Sequence, residues 1–293
     1  MISSILLAGG THGNELTGVE VINNWQTIES QVDIPKDVEV SAIHVNKAAI
    51  EHRVRYLDED FNRQFDPDRL ATNAIKADAE LNREQRLAKE LNATYGPKSQ
   101  PQIDLVVDIH NTTSAMGPSI ILLTSDEFDL CLARYVKQQM PTAVILVEDQ
   151  IPYASHPYFC TLGKRGLMLE LGAQPQNCLR ASIFQESVEL LRHLFAFVQL
   201  WNEKTAFEQP PTEAFKLLEE IKYPTVDNKK SAMIHPSLDG KDFHPLHKGD
   251  PCFLSFSGEV LCWEGETVYP HFIGEAAYNH LNVAFATAKK INY

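Results

Sequence analysis

Along the first two thirds of the chain, short runs of aliphatic residues alternate with amphipathic stretches. The runs are Ser4 to Ala8, Val38 to Val45, Leu105 to Ile109, Ser119 to Thr124, Ala143 to Val147 and Gly166 to Leu171. Rich in Ile, Val and Leu, they read as strands buried on both faces. The stretches between them predict helices over Glu15 to Glu29, Ala74 to Ala93, Glu127 to Gln139 and Arg180 to Trp201, the last being the longest and best patterned. Such alternation predicts an α/β fold on a mostly parallel sheet.

After Trp201 the texture changes. The segment NEKTAFEQPPTEAF sets polar residues and a Pro-Pro pair between elements, which places a domain boundary near Glu208. Residues 1–207 are expected to form the α/β domain and 208–293 a small β-rich domain, because Gly and Pro punctuate the tail at strand-length spacing with little helical pattern before Glu275. At 293 residues the chain has room for one large domain and this appendage.

Composition narrows the class. With 44% hydrophobic and 22% charged residues the chain reads as an ordinary globular protein, and no apolar run approaches the roughly 18 residues of a membrane span. A net charge of -13 repels nucleic acid and anionic membranes at long range, so neither is expected as a partner. An anionic small substrate would need locally placed arginines. The start MISSILLAGG has no basic residue before its apolar stretch and reads as a first strand, which together with five scattered cysteines of odd number predicts a cytoplasmic protein with reduced thiols.

Four segments carry candidate chemistry. In LLAGGTHGNELTG, His12 and Glu15 stand three apart at a predicted helix start, where imidazole and carboxylate can meet one cation; a first-turn Glu that favours the helix dipole fits the same letters. In DLVVDIHNTTSAMG, His110 follows a buried run and stands where open α/β sheets place ligands, although a hydrogen-bonded core histidine fits too. Two histidines and a glutamate make the ligand set of zinc hydrolases that keep a position open for water. Asp108, two residues before His110, shares its face, and Asp108 and Asp60 are candidates to orient the ligands.

In GLMLELGAQPQ, Glu170 interrupts an apolar strand and therefore needs a cation, a donor or a proton. Facing a zinc-bound water it would act as general base and return the proton to the leaving amine; a structural salt bridge is the alternative. In RYLDEDFNRQFDP, Arg55, Asp60, Asn62 and Arg63 suit an oxyanion or a substrate carboxylate, as well as plain solvated surface.

These segments in this order, with GDPCF and TVYPHFIGEAAY in the tail, resemble the aspartoacylase and succinylglutamate desuccinylase family, relatives of the zinc carboxypeptidases. The resemblance spans nearly the whole chain. It implies a carboxypeptidase-like mixed sheet flanked by helices, one zinc held by His12, Glu15 and His110, and Glu170 as the catalytic glutamate. It further implies that Arg55 polarises the scissile carbonyl, that Asn62 and Arg63 bind a substrate carboxylate, and that Tyr278 reaches the pocket from the small domain. The substrate implied is an N-acyl amino acid, with N-acetyl-L-aspartate first and N-acetyl neutral or aromatic amino acids as the alternative.

Two positions depart from the pattern. Where the family's animal members carry an arginine ten residues before the catalytic glutamate and a lysine four after the tyrosine, this chain has Cys160 and Asn282. His156, Lys164 and Arg165 are the candidate replacements. In the tail, His244, His247, Cys252 and Cys262 are plausible ligand types whose spacing fits no zinc pattern. A peptide carboxypeptidase and a metal-containing binding module remain as competing readings, and a homo-oligomer is compatible with all of them.

Overall fold

In the computed structural model, which describes residues 1–205 and 209–293, each of the six aliphatic runs becomes a strand. They are β1 (Ser4–Gly9), β2 (Glu39–His44), β3 (Leu105–Asn111), β4 (Gly117–Leu122), β5 (Val144–Val147) and β6 (Arg165–Gly172). β3 runs two residues past the aliphatic run, so His110 and Asn111 lie inside the strand and all seven of its residues are buried.

The helices follow the pattern less evenly. They are α1 (Leu16–Asn23), α2 (Trp25–Glu29), α3 (Lys47–His52), α4 (Pro67–Ala74), α5 (Arg83–Tyr95), α6 (Glu127–Gln139) and α7 (Ala181–Asn202). The helix expected over 15–29 is broken at Asn24, whose side chain bonds the Glu20 carbonyl. The one expected over 74–93 starts only at Arg83. Ahead of it, Asp66 caps α4 with Pro67 in its first turn, and Asn82 opens α5 through a reciprocal capping box with Gln85. Two local start signals thus outweigh one continuous periodicity.

Among the described residues, nine strands form one sheet in the order β13-β14-β7-β5-β4-β6-β3-β1-β2. The tail supplies three of them: β7 (Glu213–Lys222), β13 (Tyr269–His271) and β14 (Val283–Asn292). β2, β1, β3 and β6 run parallel, β4 turns against β6, and β4, β5 and β7 run parallel to one another. Parallel pairing of Leu146 with Phe215 and Val147 with Lys216 carries the sheet from β5 into the tail. The tail's remaining strands are β8 (Thr225–Val226), β9 (Lys229–Lys230), β10 (Ala232–Ile234), β11 (Pro251–Ser255) and β12 (Val260–Cys262), with β10-β11-β12 as a separate antiparallel sheet over its own small core. The boundary expected near Glu208 lies outside the described residues. No helix among them is long and apolar enough to cross a membrane.

One core lies beneath α1, α6 and α7; another, on the opposite face, holds Phe61, Phe65 and Phe159 in mutual ring contact. α1 presses directly on the sheet. A Cβ on Gly18 would lie 2.4 Å from the Ile109 oxygen and 3.1 Å from Gly9 Cα, so only glycine permits this approach. Glu15, the residue before α1, is thereby brought to the end of β3. Gly18→Val should force α1 outward, cost about 1–3 kcal/mol of overpacking and lower Tm by several degrees in a calorimetric scan. An unchanged Tm would refute this contact.

Candidate active site

The site forms where β1, β3 and β6 end. After β1, Gly10 takes a left-handed conformation at φ +72° and turns the chain into the loop that carries His12 and Glu15. His12, Glu15 and His110 are all buried, and ligand atoms of the three lie within 4.8 Å of one another. Glu15 Oε1 stands 2.8 Å from His12 Nδ1, and its Oε2 stands 2.8 Å from His110 Nδ1. The two Nδ1 atoms face each other at 3.2 Å.

Both imidazoles are held from behind. His12 Nε2 lies 3.0 Å from Asp60 Oδ1, and His110 Nε2 lies 2.8 Å from Asp108 Oδ2. Each ring is thus oriented by a carboxylate on the nitrogen that faces away from the cluster. Thr11 donates to Asp108 Oδ1 at 2.7 Å, so Asp108 is itself fixed. Burial alone would raise the proton affinity of Glu15, but His12 and His110 outweigh it and hold the carboxyl well below the usual range. Burial opposes the charge on His110, yet Asp108 and Glu15 raise its pKa well above normal. Electrostatics that draw a proton this strongly also suit a metal cation, so the donor set fits one.

The Arg55 loop closes one side. Arg55 Nη1 donates to Glu15 Oε1 at 2.8 Å, and its Nε and Nη2 donate to Asp60 Oδ2 at 3.3 and 3.2 Å. The Arg63 guanidinium lies over the Tyr158 ring, 5.1 Å from its centroid, and the Tyr158 hydroxyl donates to Glu148 at 3.1 Å. Asn62 is buried; its oxygen accepts from Phe159 N at 2.8 Å, and its Nδ2 lies 3.5 Å from His110 Nε2. The Asn62 oxygen is therefore spent on backbone.

Glu170 pairs directly with His110 in the parallel register of β6 and β3, which sets both side chains on the same face. Its Oε2 is buried without a hydrogen-bond partner. Burial pushes its pKa up to about 8, with Glu15 and Glu275 adding to the shift and His110 and Arg55 opposing it. The fourth wall comes from the tail. Glu275 accepts from Thr113 N at 2.7 Å and from the Thr112 and Thr113 hydroxyls, and it caps the short turn Ala276–Leu281 that carries Tyr278. Tyr278 lies within electrostatic reach of Arg63, Glu170 and Arg55, its own pKa raised by burial.

The sequence singled out neither Glu148 nor Tyr158, and it gave no role to Glu275, which stands inside the EAAY motif. A glutamate directly after an aliphatic run, as in VILVE, is the signal that could have found Glu148. Of the candidate replacement cations, Lys164 pairs with Asp104 at 2.7 Å and Arg165 pairs with Asp126 over the Phe128 ring. Arg165 opens β6 and Lys164 precedes it, about 16 and about 20 Å along the strand direction from Glu170 by strand rise, so neither serves the pocket. His156 is buried and stacks on Tyr158 at 5.5 Å. Cys160 is buried in the core, and Asn282 bonds the Tyr223 carbonyl at 3.1 Å. Among the described residues His12, Glu15 and His110 are the one group of three or more such side chains that converges; the tail histidines and cysteines do not.

Known proteins share this architecture. The model of the succinylglutamate desuccinylase/aspartoacylase catalytic domain matches residues 1–198, and that of the AstE/AspA barrel-sandwich hybrid domain matches residues 210–290. Aspartoacylase of Danio rerio is 37% identical over 97% of this chain and 90% of its own length. The N-acyl-aromatic-L-amino acid amidohydrolase (carboxylate-forming) of Xenopus laevis is 36% identical over 99% of this chain and 95% of its own. The crystal structure of murine aminoacylase 3 superposes with a TM-score of 0.89 at 33% identity, covering 100% of this chain and 96% of that one. The shared fold, the matched domains and the identity over nearly full length mean that this chain belongs to the succinylglutamate desuccinylase/aspartoacylase family.

Proposed function

We propose that the chain is a zinc-dependent amide hydrolase that removes the acyl group from N-acyl amino acids, with His12, Glu15 and His110 holding one zinc per chain. The observation that carries this reading is the convergence of those three side chains beside a buried glutamate oxygen without a partner. Relatives named aspartoacylase and N-acyl-aromatic-L-amino acid amidohydrolase support the substrate class. We take the catalytic domain as residues 1–207 and the small domain as 208–293, in keeping with the two family matches. Five free cysteines support a reducing, cytoplasmic setting.

Zinc bound there supplies Lewis acidity and a more acidic water. Glu170, with its raised proton affinity, is suited to take a proton from the attacking water and return it to the leaving amine. Three donors of Arg55 are taken by Glu15 and Asp60, which fixes the guanidinium plane and leaves its other N–H groups for the developing oxyanion. Arg63 binds the substrate carboxylate, for which a planar fork of donors is well shaped. Asn62 holds that loop against Phe159, and Tyr278 narrows the entrance, which favours a small acylated amino acid over a peptide.

N-acetyl-L-aspartate is one candidate substrate. An N-acyl aromatic amino acid is the second, favoured by the tyrosine walls and by the remote positions of Lys164 and Arg165. The experiment is kcat/KM for N-acetyl-L-aspartate against N-acetylated aromatic amino acids with zinc-loaded protein. Aspartate should hold no advantage beyond about tenfold, since a missing charged partner costs on the order of 10²-fold in selectivity. No turnover of any N-acyl amino acid would overturn the proposal.

Two substitutions separate roles. Glu170→Gln should keep one zinc per chain by elemental analysis while kcat falls by about 10²–10⁴; near-normal kcat would exclude Glu170 as the base. Asp108→Asn should weaken zinc by roughly 10–100-fold in a chelator competition because His110 loses its orienting carboxylate. Undiminished zinc affinity would show that Asp108 does not tune the ligand.

A further inference from the structure

Glu84, in the first turn of α5, is completely buried and far from the reacting atoms in sequence, yet each of its oxygens accepts from the same loop. Its Oε1 accepts from Leu57 N at 2.8 Å and from Asn46 Nδ2 at 3.2 Å. Its Oε2 accepts from Asp58 N at 3.0 Å and Glu59 N at 3.3 Å. The three consecutive amides lie midway between Arg55 and Arg63. We infer that Glu84 is a positioning residue for this reaction, the internal clamp that sets where both arginines stand in the pocket. The inference rests on the reading of Arg55 and Arg63 as substrate contacts.

The argument is one of satisfaction and reach. A three-residue run whose N–H groups converge on one carboxylate has its backbone path fixed at each step, and a buried carboxylate in turn requires such donors. The same carboxylate ties in Asn46, whose oxygen caps α3 by accepting from Ala49 N at 3.2 Å. The backbone of Ala49 is so close to Gly13 that a Cβ there would lie 2.0 Å from it, and Gly13 N donates to the Arg55 carbonyl at 3.3 Å. Glu84 therefore locks the arginine loop to the loop of His12 through one connected set of backbone contacts. The ion pair of Arg83 with Asp58 at 3.3 Å lies on the surface, with Arg83 64% exposed, and contributes little, while Asn82 and Gln85 donate to Glu59 Oε1 at 2.9 and 3.3 Å and brace the same loop through its side chain.

The test pairs Glu84→Gln with Asp58→Asn, measured at saturating zinc by steady-state kinetics and by hydrogen exchange of peptides spanning residues 55–63. Glutamine keeps the size but turns an NH₂ group toward backbone donors. The expected result for Glu84→Gln is faster exchange at residues 57–59 together with KM for N-acetyl amino acids raised about tenfold or more. Asp58→Asn should leave both as in the native chain. Loss of activity at unchanged KM, or a raised KM with unchanged exchange, would overturn the inference, because a merely structural role lowers the active fraction without moving KM. If Glu84→Gln does not fold, the native chain still decides: exchange at residues 57–59 as fast as in an exposed loop would refute the clamp. Absence of turnover in the native chain would fail the functional reading alone, since the exchange arm reads the clamp without substrate.

Discussion

A carboxylate withdrawn from water must be met by positive charge or by N–H donors, and Glu15 imposes that demand on everything around it. One oxygen is shared between His12 and Arg55, the other between His110 and the Asn111 amide. Each imidazole is then backed by a further carboxylate, Asp60 or Asp108, and Arg55 returns to Asp60. Three carboxylates thus meet one guanidinium and two imidazoles. Set against one guanidinium, the three carboxylates leave two negative charges to be met, and the dication of the proposed reading would meet both. The close packing of α1 on Gly9, the turn at Gly10 and the β3–β6 register all serve to bring these groups together.

The tail is part of the same construction. β7 and β14 extend the sheet that carries His110 and Glu170, so the tail's orientation is set by backbone ladders. Two buried carboxylates then fasten its loops to the segment after β3. Glu275 engages Thr112 and Thr113, while Asp242 accepts from Ala115 N at 3.1 Å and Ile273 N at 3.2 Å. Burial raises the Asp242 pKa to about 6, which its backbone donors only partly offset. Tyr278 owes its place beside the arginines to these fastenings.

Much of this was legible in the sequence because buried parallel strands write themselves as aliphatic runs, and because a polar residue inside such a run must have a partner. Glu170 within GLMLELG and His110 after LVVDI carried that signal. The helices were less legible where caps compete with periodicity, as at Asp66 and Asn82. Long-range pairing was not legible at all. Lys164 and Arg165 read as pocket cations by proximity to Glu170 in sequence, but a strand of that length separates its two ends by far more than a side chain's reach. Glu148 was missed for the converse reason, since it approaches Arg63 only through sheet order and the Tyr158 ring.

That arrangement around Arg63 bears on which substrates the pocket can hold. Its guanidinium already faces Tyr158, and the Tyr158 hydroxyl is committed to the buried Glu148. Burial raises the Glu148 pKa, and Arg63 lowers it, so the two groups share one electrostatic environment. On the proposed reading an incoming α-carboxylate would bring its own charge to Arg63 and be compensated there. Glu148 acts on Arg63, and Glu275 and Glu15 act on Glu170, so on the proposed reading a second substrate carboxylate would meet further acidic groups, under a chain whose net charge is -13. It would lose its hydration with no new cation in exchange. On the proposed reading an aromatic side chain would avoid that penalty and meet Tyr278, because Tyr158 already carries Arg63 at 5.1 Å and stacks on His156 at 5.5 Å. On the proposed reading the hydrolytic chemistry is general to N-acyl amino acids, and the charge already held around Arg63 and Glu170 would discriminate among their side chains.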